Sequence, residues 1–283
     1  MSKVAIITDS TTNIPKEYLE KYNITIVPQI LIWGQETLLD GVDIQPAEFY
    51  TRLTKATVMP STSQVTPSSF HKAYTQLLDE GYDILTLVLS SVLSGTLNSA
   101  VQAREMLPKA PIEIVDTRST AMALGFMVLE CARAAEAGAS LAECKALAEK
   151  AIPMAGIVFA VDTLEFLHRL VRIGGAKRFL GTALNIKPIL ELRDGRIEAV
   201  EQVRTRAKSL TRLAELVHEQ IGDRRPIHMA SLHANAPEDA KELLERTCAK
   251  YTDLAECVFS EISPVVGANV GPGTVGLAYL AGM

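Results

Sequence analysis

Short apolar runs that alternate with helical patterns constrain the fold of this chain more than any other feature. Residues 4–7 form a continuous apolar run, as in a strand that is buried on both faces. The run ends at capping residues 9–12, and Pro15 suits the first turn of a helix. Strand-like runs recur at residues 84–89 and 112–115, with helical patterns between them. This alternation predicts a parallel α/β sheet in the first half of the chain.

The second half has a different pattern of elements. Two strand-like runs flank Asp194 and Gly195, and Asp-Gly between such runs is a strong hairpin signal. Hairpins mixed with crossover helices predict a mixed or antiparallel sheet. A chain of 283 residues is long enough for two domains. We therefore predict an α/β fold with an N-terminal parallel-sheet domain over residues 1–154 and a C-terminal mixed- or antiparallel-sheet domain over residues 155–283.

Three segments carry weaker patterns. Residues 24–33 form one strand-like run, and Gly34 and Gly41 after it suggest a hairpin or a bulged excursion. Residues 54–65 lack periodicity, which predicts a long functional loop. Residues 177–184 have the pattern of a short helix.

Charge and cysteine content narrow the functional class. The net charge of -5 argues against a nucleic-acid surface, because phosphate binding favours a basic face. The longest apolar run, residues 121–129, is about half of what a membrane span needs, and no signal peptide is apparent. We therefore expect a soluble, cytoplasmic protein. Its four cysteines lack CxxC spacing, which favours reduced, buried thiols.

Three short stretches rich in hydroxyl groups and glycine follow apolar runs, where loops usually present recognition groups. They offer neutral hydroxyl, amide and backbone N–H donors without an adjacent histidine to act as a base. Such a set suits holding an anionic head group better than nucleophilic attack. The stretches are residues 61–64, residues 90–96 and residues 267–274.

The second stretch has the strongest resemblance to an anion cradle. Gly95 permits close backbone approach just where a helix is expected to begin, and helix N-termini attract anions. N-capping explains one hydroxyl there but not four within seven residues. The last stretch formally matches G-x-G-x-x-G, but only seven residues follow Gly276, so the nucleotide interpretation fails. A structural turn and an anion-holding run of N–H groups both remain open for it.

The smaller candidates have local explanations. Thr66 with Pro67 fits a helix N-cap, which leaves the side chains of residues 62–64 without a local role. Asp9 is expected to act as a cap rather than as part of a site. The histidines give no catalytic pattern, since His228 and His233 lie five apart on a strand and face opposite sides.

At this point six motifs, in one order over nearly the whole chain, resemble the DegV family of bacterial fatty-acid-binding proteins. Six ordered motifs are far more specific than any one of them. They are Thr8-Asp9-Ser10-Thr11, Thr62-Ser63-Gln64, Leu93-Ser94-Gly95-Thr96, Val115-Asp116-Thr117, Leu184-Asn185-Ile186-Lys187-Pro188-Ile189-Leu190 and Gly271-Pro272-Gly273.

The resemblance implies a binding protein without catalytic residues, cofactor or metal. One long-chain fatty acid, such as palmitate, stearate or oleate, would be buried between the domains or within the second. Its carboxylate would be held at the domain junction by Thr62 and Ser94, with Ser63 and Gly95 beside them. The protein would present the acid to a fatty acid kinase subunit for phospholipid synthesis, without nucleic acid or stable membrane insertion.

The remaining ligand-binding candidates carry departures from the family pattern. Where the family usually has Gly-Gly-Arg-Ile, this chain has Leu170 and Val171 before Arg172. Where the family has Gly-x-His-x-Gly-Pro-Gly, this chain has Asn269 in place of histidine, followed by Gly271. Asn269 can donate a hydrogen bond but cannot carry the charge of an imidazolium.

Two alternatives belong to other functional classes. A lipid or acyl-ester hydrolase could use a loop serine such as Ser94, although G-x-S-x-G is absent and no partnered base is apparent. A lipid-sensing interaction module would bind a partner only when loaded. Burial of an acyl chain supports the carrier, because each buried CH₂ contributes roughly 0.8 kcal/mol.

Overall fold

The structure is a computed structural model that describes residues 3–180 and 186–283. Its strands are β1 (Val4–Asp9), β2 (Thr25–Val27), β3 (Ile30–Trp33), β4 (Glu36–Leu39), β5 (Ser61–Ser63), β6 (Asp83–Val88), β7 (Ile112–Asp116), β8 (Ala155–Ala160), β9 (Lys187–Arg193), β10 (Arg196–Val203), β11 (Ile227–His233), β12 (Leu254–Glu261) and β13 (Val275–Ala281). Its α-helices are α1 (Lys16–Lys21), α2 (Pro46–Leu53), α3 (Pro67–Asp79), α4 (Thr96–Glu105), α5 (Ala121–Glu136), α6 (Leu141–Ala151), α7 (Glu165–Arg169), α8 (Arg206–Ile221), α9 (Pro237–Cys248) and α10 (Pro264–Val270).

Three sheets organise these elements. The first has the order β2-β1-β6-β7 and is parallel throughout. The second has the order β10-β9-β8-β13-β11-β12, and only its β11-β12 pair is parallel. A small antiparallel sheet, β4-β3-β5, forms the third. The predicted α/β class, with a parallel sheet followed by a mixed one, is confirmed.

Helix α5 connects the two large sheets. Eleven of its sixteen residues are buried, because it packs on β1 of the first sheet and on β8 and β13 of the second. A helix that is apolar around most of its circumference needs such a position. The first sheet uses strands before residue 117 and the second begins at Ala155. The domain boundary between residues 154 and 155 stays a prediction.

Local signals account for several boundaries. The Asp-Gly pair joins β9 to β10 with Asp194 at φ 51° and Gly195 at φ 78°, the left-handed pair that a tight hairpin turn needs. Thr66 caps α3 by accepting a hydrogen bond from the Ser69 N–H at 3.1 Å, with Pro67 in the first turn. These predictions are confirmed.

Other predictions need correction. Residues 24–33 are two strands in different sheets, because Pro28 and Gln29 separate β2 from β3. The loop predicted at residues 54–65 contains β5, which pairs with β3. A helix was predicted at residues 177–184. The structure instead has a 3₁₀ helix, Gly174–Phe179, which overlaps only the start of that segment. Residues 181–184 of that segment lie outside the described residues.

The expectation of four reduced cysteines is wrong. Cys248 and Cys257 form a disulfide, whereas Cys131 and Cys144 are free and buried. Cys248 ends α9 and Cys257 lies in β12, and α9 packs against that strand. The pairing depends on tertiary packing, so the spacing of the cysteines does not reveal it.

Candidate functional site

A cavity of about 910 Å³, measured with its opening, lies between loops that follow the first sheet and one face of the second. Polar groups line one part and aliphatic or aromatic groups the rest. The lining residues are Thr11, Gln29, Thr62, Ser63, Gln64, Leu89, Leu93, Ser94, Thr120, Ala121, Ile157, Phe159, Leu167, Arg172, Leu192, Ile197, Leu232, Ile262, Val265, Val266, Asn269, Val270, Thr274 and Gly276.

The apolar floor of the cavity is a cross-strand row on the second sheet. Gly276 of β13 pairs with Phe159 of β8 on one side and with Leu232 of β11 on the other. Residues paired across antiparallel strands project from the same face. The middle position of this row therefore has no side chain, and the missing side chain leaves room between two large neighbours.

Strand β5 presents its hydroxyl groups to opposite faces. Thr62 pairs with the buried Leu31, so its side chain points toward the interior and is half-buried. Ser63 pairs with Ile30 and is exposed. The alternation of the strand thus gives the two candidates different exposure, although both line the cavity.

The serine-rich loop before α4 divides into structural and site-facing hydroxyls. Ser90 Oγ donates to the Gly195 carbonyl at 2.8 Å, and Ser91 Oγ donates to the Asp116 carboxylate at 2.5 Å. Ser94 Oγ lies 2.9 Å from Thr96 Oγ1 and lines the cavity. The fourth hydroxyl, Thr96 Oγ1, accepts from Gln29, so Ser94 is the only one of the four that lines the cavity.

Gly95 is not among the cavity-lining residues. Its role is to leave space for a neighbouring side chain. A Cβ at this position would overlap the side-chain amide of Gln64. Gln64 passes over the glycine and donates from Nε2 to Ser99 Oγ at 3.0 Å. This bridge holds the end of β5 against α4 and so positions Thr62 beside the Ser94 loop.

A second glutamine supports the same region from the other side. Gln29 is buried, and its Nε2 donates to Thr96 Oγ1 at 3.0 Å. The same Thr96 hydroxyl contacts Ser94. Gln29 was not among the site residues predicted from the sequence, because it lies outside the motifs. Its only signal in the sequence is its position at the junction of β2 and β3.

Arg172 is the one charged side chain among the described lining residues. Its Nε donates to the Leu93 carbonyl at 3.2 Å, and its Nη1 donates to the Leu170 carbonyl at 2.5 Å. These bonds hold the guanidinium against the loop that carries Ser94. The arginine therefore lies at the polar part of the cavity in spite of the replaced glycines.

Val171, which replaces one of the family's glycines, has the left-handed backbone conformation that glycine favours. Val171 has φ 59°, a left-handed conformation that costs a β-branched residue about 1–2 kcal/mol, and its side chain is 79% exposed. Val171→Gly should raise the free energy of unfolding by about 0.5–1 kcal/mol, because relief of strain exceeds the added chain entropy. Chemical denaturation measures the change. Val92→Gly, at an exposed loop position without positive φ, should not stabilise, and equal effects would contradict the explanation.

Asn269 and Gly271 lie at the end of α10. Asn269 lines the cavity together with Val265, one turn earlier, and its Nδ2 donates to the Val265 carbonyl at 2.8 Å. Gly271 ends the helix at φ 79°, where a Cβ would overlap the Phe166 ring of α7. Gly271 thus permits close packing and is not among the lining residues. In the adjoining glycine-rich stretch the Gly271 and Gly273 N–H groups donate to the Gly267 and Ala234 carbonyls at 2.8 Å, which favours a structural turn over an anion-holding run.

The titratable groups near the cavity have structural partners. Asp9 caps the turn after β1 by accepting from the Thr11 N–H at 2.9 Å, as predicted. Burial raises the pKa of Asp9. Burial also raises the pKa of Asp40, to about 6, although Ser10 and the Val265 N–H donate to its carboxylate. This pair of bonds fixes the start of α10.

The two histidines of β11 lie on opposite faces of the strand, as predicted. His228 contacts Phe126 of α5 on one face of β11, and His233 contacts Phe259 on the other. No histidine occurs among the lining residues that the structure describes. Residues 3–180 and 186–283 contain no group of three or more side chains placed to bind a metal ion together. In the same residues, no helix has the length and hydropathy to cross a membrane.

Comparison with known proteins identifies the family. The family model described as "uncharacterised protein, DegV family" matches residues 3–282. This chain belongs to the DegV family. A DegV domain-containing protein of Streptomyces coelicolor is 39% identical to it over 275 residues, which cover 97% of each chain.

Solved DegV structures have the same fold. A fatty-acid-binding DegV family protein from Thermus thermophilus superimposes with a TM-score of 0.93 at 31% identity and covers 99% of both chains. DegV from Bacillus subtilis, described as a fatty acid binding protein, gives a TM-score of 0.89 at 30% identity. That match covers 99% of this chain and 100% of the other.

Proposed function

We propose that this protein binds one long-chain fatty acid, such as palmitate, stearate or oleate, in the described cavity. The observation that carries the proposal is the division of the cavity into an apolar floor and a polar part with hydroxyls and one guanidinium. The fatty acids bound by the Thermus and Bacillus relatives support it. A sixteen-carbon tail would gain on the order of ten kcal/mol from burial before ordering costs.

The carboxyl group would lie beside Thr62, Ser94 and Arg172. A buried carboxyl group needs hydrogen bonds to offset its desolvation, and bonds to a charged donor are the strongest. Thr62 points inward from β5, and Arg172 is fixed to the same loop as Ser94. Ser63 would contribute as a neighbour of Thr62 and Gly95 as a neighbour of Ser94, whereas Gly271 would contribute only by letting the end of α10 pack against Phe166.

Presentation to a kinase in the cytoplasm extends the proposal. The exposed Ser63 and the half-buried Ser94 leave the polar part near solvent, where a partner could reach the carboxyl group. The phosphoryl chemistry would belong to the partner. On this proposal the protein has no catalytic residue and needs no cofactor.

The double variant Thr62→Ala/Ser94→Ala tests the head-group assignment. Palmitate affinity should fall roughly 10- to 30-fold, because two hydrogen bonds of about 1 kcal/mol each are lost. Titration calorimetry measures the change. Ser91→Ala is the matched control, because its hydroxyl contacts Asp116 instead of lining the cavity, and its affinity should equal that of the wild type.

Native mass spectrometry with solvent extraction identifies the ligand independently. An added mass of a few hundred daltons that extracts as fatty acid supports the carrier. A protein that neither carries nor takes up palmitate or oleate would contradict it. Turnover of an acyl ester that disappears in Ser94→Ala would indicate a hydrolase, and partner binding that depends on loading would indicate a sensor.

A further inference from the structure

The orientation of the Asn269 side chain is fixed by its own helix. A backbone carbonyl only accepts hydrogen bonds, so the nitrogen of the amide, not the oxygen, must face the Val265 carbonyl at 2.8 Å. Turning the amide over would place two acceptors against each other. The sequence predicted that Asn269 can donate a hydrogen bond, and one of the two N–H groups on this nitrogen already serves the helix.

The oxygen of the same amide is left without a donor. Asn269 Oδ1 is shielded from solvent and has no hydrogen-bond partner among the described residues. A buried acceptor without a partner costs about 1–3 kcal/mol. Asn269 lines the cavity next to Val270 and one turn from Val265 and Val266, so a ligand group in the cavity can supply the missing donor.

The position of the helix places this acceptor near the polar part of the cavity. Helix α10 packs against β5, the strand that carries Thr62. The Asp40 carboxylate fixes its first turn by accepting from the Val265 N–H at 3.0 Å. Asn269 and Thr62 therefore belong to adjoining walls that are both rigidly held.

We propose that Asn269 selects acyl ligands whose head group donates a hydrogen bond, which for a free fatty acid means the protonated carboxyl group. The inference rests on the proposed function and names the form of its ligand. A carboxylate has only acceptor atoms and would face Oδ1 with like partial charge. A protonated carboxyl donates to Oδ1 with one oxygen and accepts from the hydroxyls with the other. An amide or a hydroxyl head group meets the same requirement.

Arg172 is compatible with a neutral head group. Two of its donor positions serve the Leu93 and Leu170 carbonyls, so the guanidinium is partly committed to backbone acceptors. Its remaining N–H groups can donate to the unprotonated oxygen of a carboxyl as well as to a carboxylate.

Two ligands of equal size, of which only one has a hydrogen-bond donor in its head group, test the role of the donor by itself. Palmitamide and heptadecan-2-one differ only in an NH₂ group against a methyl group at the same carbonyl. We expect the wild type to prefer the amide, and this preference to fall about tenfold in Asn269→Leu, which removes the acceptor. Val266→Ala is the control on the same helix, because it should weaken both ligands alike and leave the preference unchanged. An unchanged preference in folded Asn269→Leu would overturn the proposal.

A measurement on the wild type needs no variant. The carboxyl resonance of palmitate labelled with ¹³C at the carboxyl carbon reports the protonation state of the bound acid. A group that accepts from the neutral form raises the pKa, so the bound acid should titrate clearly above an ordinary carboxyl pKa of about 4.3. Titration at or below that value would overturn the proposal but leave fatty-acid binding intact. Absence of a bound resonance at any pH would instead contradict the proposed function.

Discussion

Gly276→Val should reduce palmitate affinity by roughly 50-fold or more while sparing shorter acids. Gly276 lies between Phe159 and Leu232 in the row that forms the apolar floor. An added Cβ would lie 2.8 Å from Phe159 Cβ, so the new side chain both occupies the floor and displaces its neighbour. Expulsion of three methylene groups costs about 2.4 kcal/mol at roughly 0.8 kcal/mol each.

Chain-length dependence distinguishes a shortened cavity from a damaged fold. Affinities of palmitate, laurate and decanoate measured by calorimetry should converge in Gly276→Val, because the shorter tails do not reach the filled floor. Gly156→Val is the matched control. Gly156 pairs with Tyr279 on the opposite face of the same sheet, where an added Cβ would overlap the tyrosine ring. The control should lower stability but keep the wild-type preference, and an equal loss for all tails in Gly276→Val would contradict the assignment.

The fold could be predicted because its signals are local. The apolar run of β1, the Asp194-Gly195 turn and the Thr66 cap each act within a few residues, so they need no knowledge of tertiary contacts. The strand β5 could not be predicted in this way. Its three residues gain their structure from pairing with β3, some thirty positions earlier in the chain.

The candidate site was predictable only as a set of loops. Thr62, Ser94, Arg172 and Asn269 line one cavity, but which of their atoms face it depends on strand register and helix packing. One N–H of the Asn269 side chain donates to the Val265 carbonyl, a bond that residue type alone does not reveal. The supporting Gln29 reaches Thr96 over 67 positions of sequence. Such contacts follow from tertiary geometry, so no spacing in the chain predicts them.

A charged cluster joins α5 to the edge of the second sheet. Arg133 donates to both oxygens of Glu256 at 3.0 Å and to Glu130 at 2.6 Å. His228 lies 3.1 Å from Glu256, whose side chain is only 10% exposed. Arg133 and Glu256 are 123 positions apart.

Arg133→Ala should lower the free energy of unfolding by about 3 kcal/mol. Removal of the arginine leaves two carboxylates near one another without their main counter-charge, which is far more costly than losing a surface pair. Urea denaturation at neutral pH measures the loss. Arg246→Ala is the control, because Arg246 pairs with Glu242 at an exposed position and should cost less than about 1 kcal/mol. Equal losses would show that the cluster has no special role.

The acid side of the stability profile provides a sharper test of the same cluster. Burial by itself would raise the pKa of Glu256, but hydrogen bonds from His228 and Arg133 outweigh it and lower the pKa to about 2 from its ordinary 4.5. A carboxyl with a depressed pKa in the folded state stabilises the protein above its unfolded pKa, and this contribution is lost as pH falls toward the folded value. The difference in unfolding free energy between wild type and Arg133→Ala should therefore shrink between pH 4.5 and about 2. A difference that stays constant over this interval would mean that Arg133 stabilises the fold by packing and not by holding Glu256 ionised.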